Sequence, residues 1–157
     1  MKTQITKGFT MLMVIVAVAF MTAVASSANG QSAQAVIANV PFEFKVGDKA
    51  LPAGEYTVRA ITAGGDALAI RSPNSGAVRL SQSIETLKAS EKGKLVFHRY
   101  GDTYFLSQVW APGERMGRQL LKSKGERTIE GQLAAIPSKS DRARSGYEVV
   151  EIVAIVR

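Results

Sequence analysis

The chain has 157 residues, of which 46% are hydrophobic and 21% are charged, and its net charge is +7. These proportions are those of a globular domain and exclude a wholly disordered chain. Cysteine is absent, which excludes a disulfide framework, a thiol enzyme, a thiolate zinc site and a lipoprotein anchored through a modified cysteine. Cohesion therefore has to come from apolar burial, for which one domain of this length is large enough.

The beginning of the chain has the three parts of a secretory signal peptide. Lys2 and Lys7 form a positively charged start, and residues 9–24 are apolar apart from two threonines. An uncleaved membrane anchor is the alternative, but this run of about 16 residues is shorter than the roughly 20 that span a bilayer. Small residues follow it, as at a cleavage site. We therefore predict a signal peptide over residues 1–25 and an exported protein, either periplasmic or extracellular.

The processed chain is predicted to begin with a short polar segment. Cleavage is expected after Ala25 or Ala28, where small residues stand at the required spacing, with Ala35 as a later alternative. Residues 26–35 are small and polar, which is typical of a flexible arm. Residues 36–157 then form a single β-rich domain.

The sequence of that domain consists of short segments in which apolar and polar residues alternate, separated by turn residues. This is the pattern of antiparallel β structure. Pro41 lacks an N–H group, so it should place the first strand at a sheet edge or in a bulge. Pro52 and Gly54 predict a type I turn. Strands are predicted at residues 36–45, 55–61, 67–71, 77–84, 94–100, 103–110 and 147–156. In the second of these, Tyr56, Val58 and Ala60 should share one face.

The clearest element is a hairpin, formed by residues 94–100 and 103–110 around the turn residues Gly101 and Asp102. A two-residue loop sets Phe97 opposite Leu106 and His98 opposite Phe105. One face should then hold Leu95, Phe97, Tyr104, Leu106 and Trp110. The other should hold Val96, His98, Tyr100, Phe105 and Val109. A hairpin that is apolar on both faces belongs in the middle of a sandwich or barrel, or under a helix.

A helix is predicted after this hairpin. The glycines at 113 and 117 are interpreted as turns, and Ser123 with Glu126 has the spacing of a capping box that opens a helix over residues 124–135. Gly125 and Gly131 weaken this helix by about 1 kcal/mol each relative to alanine. The predicted fold is therefore mainly β, a small antiparallel sandwich or barrel with one short helix.

Three segments resemble a family of small exported bacterial proteins without a known activity. They are residues 41–44 (PFEF), 51–56 (LPAGEY) and 104–110 (YFLSQVW), the last followed by Gly117 and Arg118. The resemblance covers most of the β-rich domain and implies a secreted β-rich fold. It implies no activity and therefore no site residues. Residues 51–56 are also similar to a turn and strand of prealbumin-like surface domains.

The residue types that carry catalysis or metal binding are sparse. His98 is the only histidine, which excludes a histidine-rich metal site, and its position in a strand favours a packed structural role. The acidic residues stand singly, in turns or at strand edges, and no phosphate-binding loop, dinucleotide fingerprint or nucleophile elbow is present. We predict no catalytic residue, no cofactor and no metal.

One basic cluster is the candidate ligand site. Its cations stand close to the single tryptophan, so charge and aromatic stacking could bind an anion or a sugar. The alternative is a solvated face whose arginine stems cover apolar surface. The candidate residues are Trp110, Arg115, Arg118, Lys122, Lys124 and Arg127.

The predicted function is a non-catalytic binding or structural module of the cell envelope or the extracellular space. The alternatives are a small periplasmic hydrolase or lyase, and a surface protein that binds anions or polysaccharide through the basic cluster. The expected partner is an anionic polysaccharide or another envelope component. Nucleic acid is not expected as a partner, and the membrane is met only through the signal peptide during export.

Overall fold

The computed structural model describes residues 34–135 and 146–157, and it is mainly β. The described residues form ten strands and one helix. The strands are β1 (Val36–Val40), β2 (Phe44–Val46), β3 (Lys49–Leu51), β4 (Gly54–Ala60), β5 (Ala67–Arg71), β6 (Gly76–Glu85), β7 (Gly93–Tyr100), β8 (Thr103–Trp110), β9 (Met116–Leu120) and β10 (Glu148–Val156). The helix is α1 (Lys124–Ala134).

Eight of these strands close into an antiparallel barrel. Around the ring they follow the order β8–β7–β10–β1–β4–β5–β6–β9, and β9 pairs back with β8 through Gln108–Gln119 and Val109–Arg118. Closure leaves no free edge in the ring itself, where edge-to-edge aggregation could otherwise begin. Of the two predicted architectures, sandwich and barrel, the barrel is the one observed.

The remaining two strands extend the sheet beside the first half of β8. β2 meets β8 in a short parallel pairing, Lys45 with Phe105, and β3 pairs antiparallel with β2. Phe44 of β2 contacts the rings of Tyr56 and Phe97 edge-on, at centroid distances of 5.0 and 5.3 Å. The hairpin of β2 and β3 is therefore part of the barrel core.

The barrel interior is filled by side chains, as expected for eight strands. Its largest members are almost completely inaccessible to solvent, and they come from both halves of the ring. They include Val40, Phe44, Leu51, Tyr56, Val58, Ile70, Leu95 and Phe97. The alternation predicted for the strand around Tyr56 and Val58 is confirmed, with Ala60 packed against the same core.

The predicted first strand is two strands. β1 ends at Val40 and β2 begins at Phe44, with Pro41 in the break. Proline cannot donate a ladder hydrogen bond, so the chain leaves the sheet there and re-enters it next to β8. The expected bulge is replaced by an interruption.

The predicted hairpin register is confirmed, but its far end is shifted. Phe97 pairs with Leu106 and His98 with Phe105, whereas Val96 pairs with Gln108, which leaves Ser107 as an extra residue. A β-bulge of this kind reverses the facing of the residues beyond it. The core therefore receives Val109, and the prediction that Trp110 lies on the core face is wrong.

The sequence pattern does not predict β9 as a strand and indicates turns around Gly117 instead. Its sequence, MGRQL, contains a glycine and two polar residues, so it lacks an apolar alternation. Cross-strand pairing with β6 and β8 supplies its hydrogen bonds. Tertiary pairing overrides local propensity here.

The predicted helix and its start are confirmed. α1 begins after Ser123, whose hydroxyl oxygen accepts the amide of Glu126 at 3.0 Å. The predicted signal peptide and the arm up to residue 33 lie outside the described residues, as do residues 136–145. Ala35 is described, and its N–H and C=O exchange hydrogen bonds with Arg157 at 3.2 and 3.1 Å.

In the described part of the chain, no helix has both the length and the apolar character needed to cross a membrane.

Candidate functional site

A buried polar cluster lies on the outer face of the β7–β8 hairpin. His98 and Glu126 are each 5% exposed, and the Nδ1 of His98 lies 3.2 Å from Oε1 of Glu126. Tyr100 donates its hydroxyl to the same oxygen at 3.4 Å. In a complete capping box, the carboxylate of Glu126 would accept the backbone N–H of Ser123. Here it contacts two partners on β7 instead.

Aromatic rings enclose this cluster. Tyr147 stacks on the imidazole of His98 with a centroid distance of 3.8 Å, and the ammonium group of Lys122 lies 5.5 Å from the tyrosine ring. Burial raises the pKa of the Tyr100 phenol, and the nearby negative charge of Glu126 raises it further. The tyrosine hydroxyl therefore stays protonated and remains a hydrogen-bond donor.

This arrangement ties the helix to the barrel. Nδ1 of the imidazole is occupied by Glu126, and one ring face is covered by Tyr147. A general base needs to reach a proton on a substrate, which a 5% exposed ring does not favour. The geometry fits the packed structural role that the sequence predicts for His98.

Trp110 of the predicted basic cluster is a packing residue in the structure. It is only 4% exposed, and its indole Nε1 donates to the side chain of Gln108 at 2.9 Å. The ring lies over Gly117, where an added Cβ would come within 2.6 Å of it. The aromatic face that stacking on a sugar requires is therefore covered by β9.

The two arginines of the predicted cluster lie on and beside β9 and have partners on and just after β6. Arg115 forms an ion pair with Glu85 at 3.1 Å, and Arg118 donates to Ser83 Oγ at 2.6 Å. The guanidinium group of Arg118 also packs against the backbone of Gly65. Both arginines connect β6 to β9 and so support barrel closure.

The other three cations of the predicted cluster lie at or before the start of α1. Lys122 forms an ion pair with Glu130 at 2.6 Å, and Lys124 is the first residue of the helix. Arg127 is exposed in the first turn of that helix. The structure thus distributes the cations of the cluster over two elements, and the role of the cluster in binding stays a prediction.

A different group of cations, which no sequence pattern connects, lines an open cleft. The cleft has a volume of about 610 Å³ and lies between the β2–β3 hairpin and the β5–β6 hairpin. Three of its residues are basic and one is acidic. The lining residues are Val46, Asp48, Lys49, Arg71, Gly76, Ala77, Val78 and Arg79. We call this the basic cleft.

Two of the three cations are held in place by backbone carbonyls. Lys49 donates its ammonium group to the carbonyl of Gly76 at 2.6 Å, and Arg79 donates Nε and Nη2 to the carbonyl of Leu121 at 3.0 and 2.9 Å. The arginine side chain passes close over Gly47, where a Cβ would lie 3.2 Å from Nη1 and where φ is +66°. The positive φ favours glycine at this turn, and a side chain there would push the guanidinium group of Arg79 aside by a few tenths of an ångström.

Asp48 is the single acid of the cleft, and its carboxylate accepts hydrogen bonds from the start of α1. The hydroxyl of Ser123 and the amide of Gly125 donate to its carboxylate, the latter at 3.1 Å, and they hold its pKa below the ordinary value, with help from Arg79 and Lys45. A carboxylate at a helix N-terminus is favoured by the helix dipole. The three cations of the cleft are therefore only partly balanced by one carboxylate, whose hydrogen bonds go to the helix and not into the cleft.

These residues could not be recognised from the sequence as one site. Lys49 follows a turn, Arg71 ends a strand and Arg79 stands inside another, so no spacing joins them. Asp48 meets a helix 77 residues further along the chain. The only sequence signal for this site is local: a single cation stands at or near each of two hairpin turns, Lys49 at one and Arg71 at the other.

In residues 34–135 and 146–157, no group of three or more histidine, aspartate or glutamate side chains is placed to hold a metal ion. The chemistry that the basic cleft offers is charge-assisted hydrogen bonding, since lysine and arginine donate to phosphate, sulfate or carboxylate oxygens.

Comparison with protein-family models, with curated proteins and with solved structures gives no significant match. The resemblance carried by residues 41–44, 51–56 and 104–110 therefore stays a hypothesis.

Proposed function

We propose that this protein is an exported, non-catalytic binding module that takes an anionic group into the basic cleft. The observation that carries this proposal is the cleft lining, in which Lys49, Arg71 and Arg79 face a single acid that already caps α1. Export is supported by the signal-peptide pattern of the sequence.

Preorganisation supports binding at this position. Because Lys49 and Arg79 are already held by carbonyl groups, little side-chain entropy is lost when a ligand arrives. Arginine retains further N–H donors when two are engaged, since its guanidinium group carries five. The cleft is also open and concave, and its volume of about 610 Å³ suits a small anionic group.

The same lining supports binding rather than catalysis. Its one carboxylate has a lowered pKa, so it stays ionised at neutral pH, whereas an efficient general acid or base titrates near the working pH. His98 belongs to the buried cluster instead. The hydrolase or lyase alternative has no comparable support from the geometry.

The test is anion binding by the full chain, measured by titration calorimetry with tripolyphosphate as a compact polyanion. Arg71→Ala and Lys49→Ala should each weaken binding about 5- to 10-fold at low salt, and raising the salt from about 0.05 M to about 0.5 M should weaken binding by wild type. For a charge-matched comparison, the double variant Lys49→Ala with Arg71→Ala is set against Arg115→Ala with Arg118→Ala, which removes the same number of cations from the sequence-predicted cluster.

The outcomes separate the two locations. Weaker binding in the cleft variants alone supports the basic cleft, and weaker binding in the control alone moves the site to the sequence-predicted cluster. Absence of binding by wild type at low salt would contradict both.

A further inference from the structure

An exposed aliphatic row crosses the outer face of four strands beside the basic cleft. Ile61 donates its amide to Ala67, Ala67 pairs with Leu80, and Leu80 accepts the amide of Leu121. Residues paired directly across antiparallel strands point to the same face. Their neighbours Ala60, Leu68 and Leu120 belong to the core side, so this row points outward.

Three of the four side chains in this row are exposed. Leu80 is 60% exposed, Ile61 53% and Leu121 43%, whereas the small side chain of Ala67 between Ile61 and Leu80 is 7% exposed. Three interstrand steps of about 4.8 Å carry it across about 14 Å of surface. Isolated exposed aliphatic residues are ordinary, but a contiguous row indicates an interaction surface.

Val78 makes the row continuous with the basic cleft. It stands two residues before Leu80 on the same outward face, is itself 58% exposed, and lines the cleft. Arg59 faces outward on β4 in register with Ala69, which in turn pairs with Val78. We call the aliphatic row, Val78 and the two outward arginines, Arg59 and Arg71, the amphipathic face.

The charge on this face has one sign over most of its area. Alternation from the core residues Tyr56 and Val58 places Glu55, Thr57 and Arg59 outward on β4. The outward positions of β5 and β6 carry Arg71 and no acid. Among the outward positions of these three strands, Glu55 is the single acid, and it lies at the end of β4 away from Ile61.

We propose that the amphipathic face docks on an anionic phospholipid surface, with a lipid phosphate in the basic cleft and the aliphatic row in the interface. This inference rests on the proposed function and specifies its ligand. Cations near an anionic membrane are attracted to it, and aliphatic side chains next to them gain by leaving water at the acyl boundary.

The aliphatic row is what selects lipid over a soluble polyanion. A sulfated or acidic polysaccharide meets the cations through its charges, but its hydroxyl-rich surface gives Leu80 and Ile61 nothing apolar to contact. Sugar recognition uses exposed aromatic rings, and Trp110 is buried on another part of the barrel. A phospholipid presents a phosphate and an apolar region next to each other, in the same arrangement as the face.

The outer face of β10 provides a matched comparison. It also exposes aliphatic side chains, among them Val153 at 63%. Lys94, which is in register with Val153 on the same outer face, is already paired with Glu151 at 2.7 Å. That face therefore combines its apolar area with a cation that an acid already neutralises, and it should not select anionic lipid.

The test is co-sedimentation of the full chain with vesicles of phosphatidylglycerol and phosphatidylcholine, and with vesicles of phosphatidylcholine alone. Wild type should bind the anionic vesicles at least 10-fold more tightly than the neutral ones. Ile61→Asn with Leu80→Asn should weaken vesicle binding by at least 10-fold, because each aliphatic side chain contributes about that factor on leaving water. Far-UV circular dichroism checks that each variant is folded.

Tripolyphosphate and the control variants separate this inference from the proposed function. The double asparagine variant should bind tripolyphosphate as wild type does, Arg71→Ala should lose affinity for both ligands, and Val153→Asn should change neither. Wild-type vesicle binding by the double asparagine variant, or tripolyphosphate binding without vesicle binding, would overturn the lipid inference and leave the proposed function standing. Vesicle binding that ignores lipid charge, with no tripolyphosphate binding, would overturn both.

Discussion

At the scale of single residues, Glu126 determines how α1 meets the barrel. Its backbone amide completes the cap on Ser123, while its side chain is buried against His98 and Tyr100. A buried carboxylate is costly unless it is paired and hydrogen-bonded. Removal of one partner from such a pair costs more than the pair contributes, because the other group stays buried without a partner.

Glu126→Ala should therefore lower the free energy of unfolding by about 3 kcal/mol, as measured by urea denaturation at neutral pH. Glu126→Gln should cost less, because the amide oxygen can still accept a hydrogen bond. The control is Glu130→Ala, which removes a partly exposed ion pair to Lys122 and should change stability by less than about 1 kcal/mol. Equal effects at the two positions would contradict the structural role assigned to the buried cluster.

Tyr100 should make the protein sensitive to alkali. Burial raises the pKa of its phenol in the folded state, whereas a tyrosine in the unfolded chain titrates near pH 10. Above that pH the unfolded chain binds fewer protons than the folded protein, so stability falls as pH rises, by about 1.4 kcal/mol per pH unit for one group. Tyr100→Phe should flatten this slope in urea unfolding between about pH 9 and pH 11, and Leu87→Ala, on an exposed loop, should leave it unchanged.

At the scale of elements, the two glycines of α1 have different roles that their sequence does not distinguish. An added Cβ at Gly125 would come within 2.7 Å of Asp48 Oδ1, whereas at Gly131 it would meet nothing within 4 Å. The first glycine allows the β2–β3 turn to cap the helix. The second has only the helix-weakening effect predicted from composition.

Gly131→Ala should thus stabilise the protein by about 0.5–1 kcal/mol, and Gly125→Ala should not. The measurement is the free energy of unfolding of the two single variants, each compared with wild type. A gain at Gly125 as large as that at Gly131 would show that the contact with Asp48 does not constrain the helix start.

The pairing of β8 with β9 depends on Gly117. Trp110 covers this residue so closely that any Cβ would enter the indole ring. Gly117→Ala should destabilise the protein by about 1–3 kcal/mol through overpacking. Since Trp110 is the only tryptophan, its fluorescence reports the change directly, and an emission spectrum identical to that of wild type would contradict the packing described. Gly146→Ala, which has open space around it, is the control.

The elements that could be predicted are those whose signal is local. Alternation around Tyr56, the two-residue turn at Gly101 and the cap at Ser123 each depend on neighbours in the chain, and all three are confirmed. The bulge at Ser107 and the strand β9 could not be predicted, because each is defined by a partner strand. The bulge alone moved Trp110 from the predicted core face to the opposite one.

At the scale of the whole molecule, closure of the sheet is a long-range property. The same strand pattern fits a sandwich or a barrel. The sheet closes into a barrel because β9 pairs with both β6 and β8. The basic cleft shares this dependence, since it forms only where two hairpins meet. The basic cluster was predicted because its residues lie close together in the sequence, but the fold places its cations on two different elements.

Cleavage of the predicted signal peptide should leave intact the hydrogen bonds between Ala35 and Arg157. Ala35 is buried and exchanges two backbone hydrogen bonds with Arg157, so cleavage after Ala25 or Ala28 keeps this contact and cleavage after Ala35 removes it. We expect intact-mass spectrometry of the exported form to give an N-terminus at residue 26 or 29. An N-terminus at residue 36 would show that the contact with Arg157 is dispensable.

The pairing of Ala35 with Arg157 also determines how the barrel responds to force. Both ends of the domain leave from one point, on neighbouring antiparallel strands that share a short ladder, Val36 with Val156 and Ile37 with Ile155. A pull between these ends acts along the interstrand hydrogen bonds, which lie perpendicular to the strands. The bonds then break one after another, as in a zipper, and the load never reaches all of them together. A tether through one end alone applies no load to this ladder, so we expect the barrel to open at a lower force when it is pulled between its two ends.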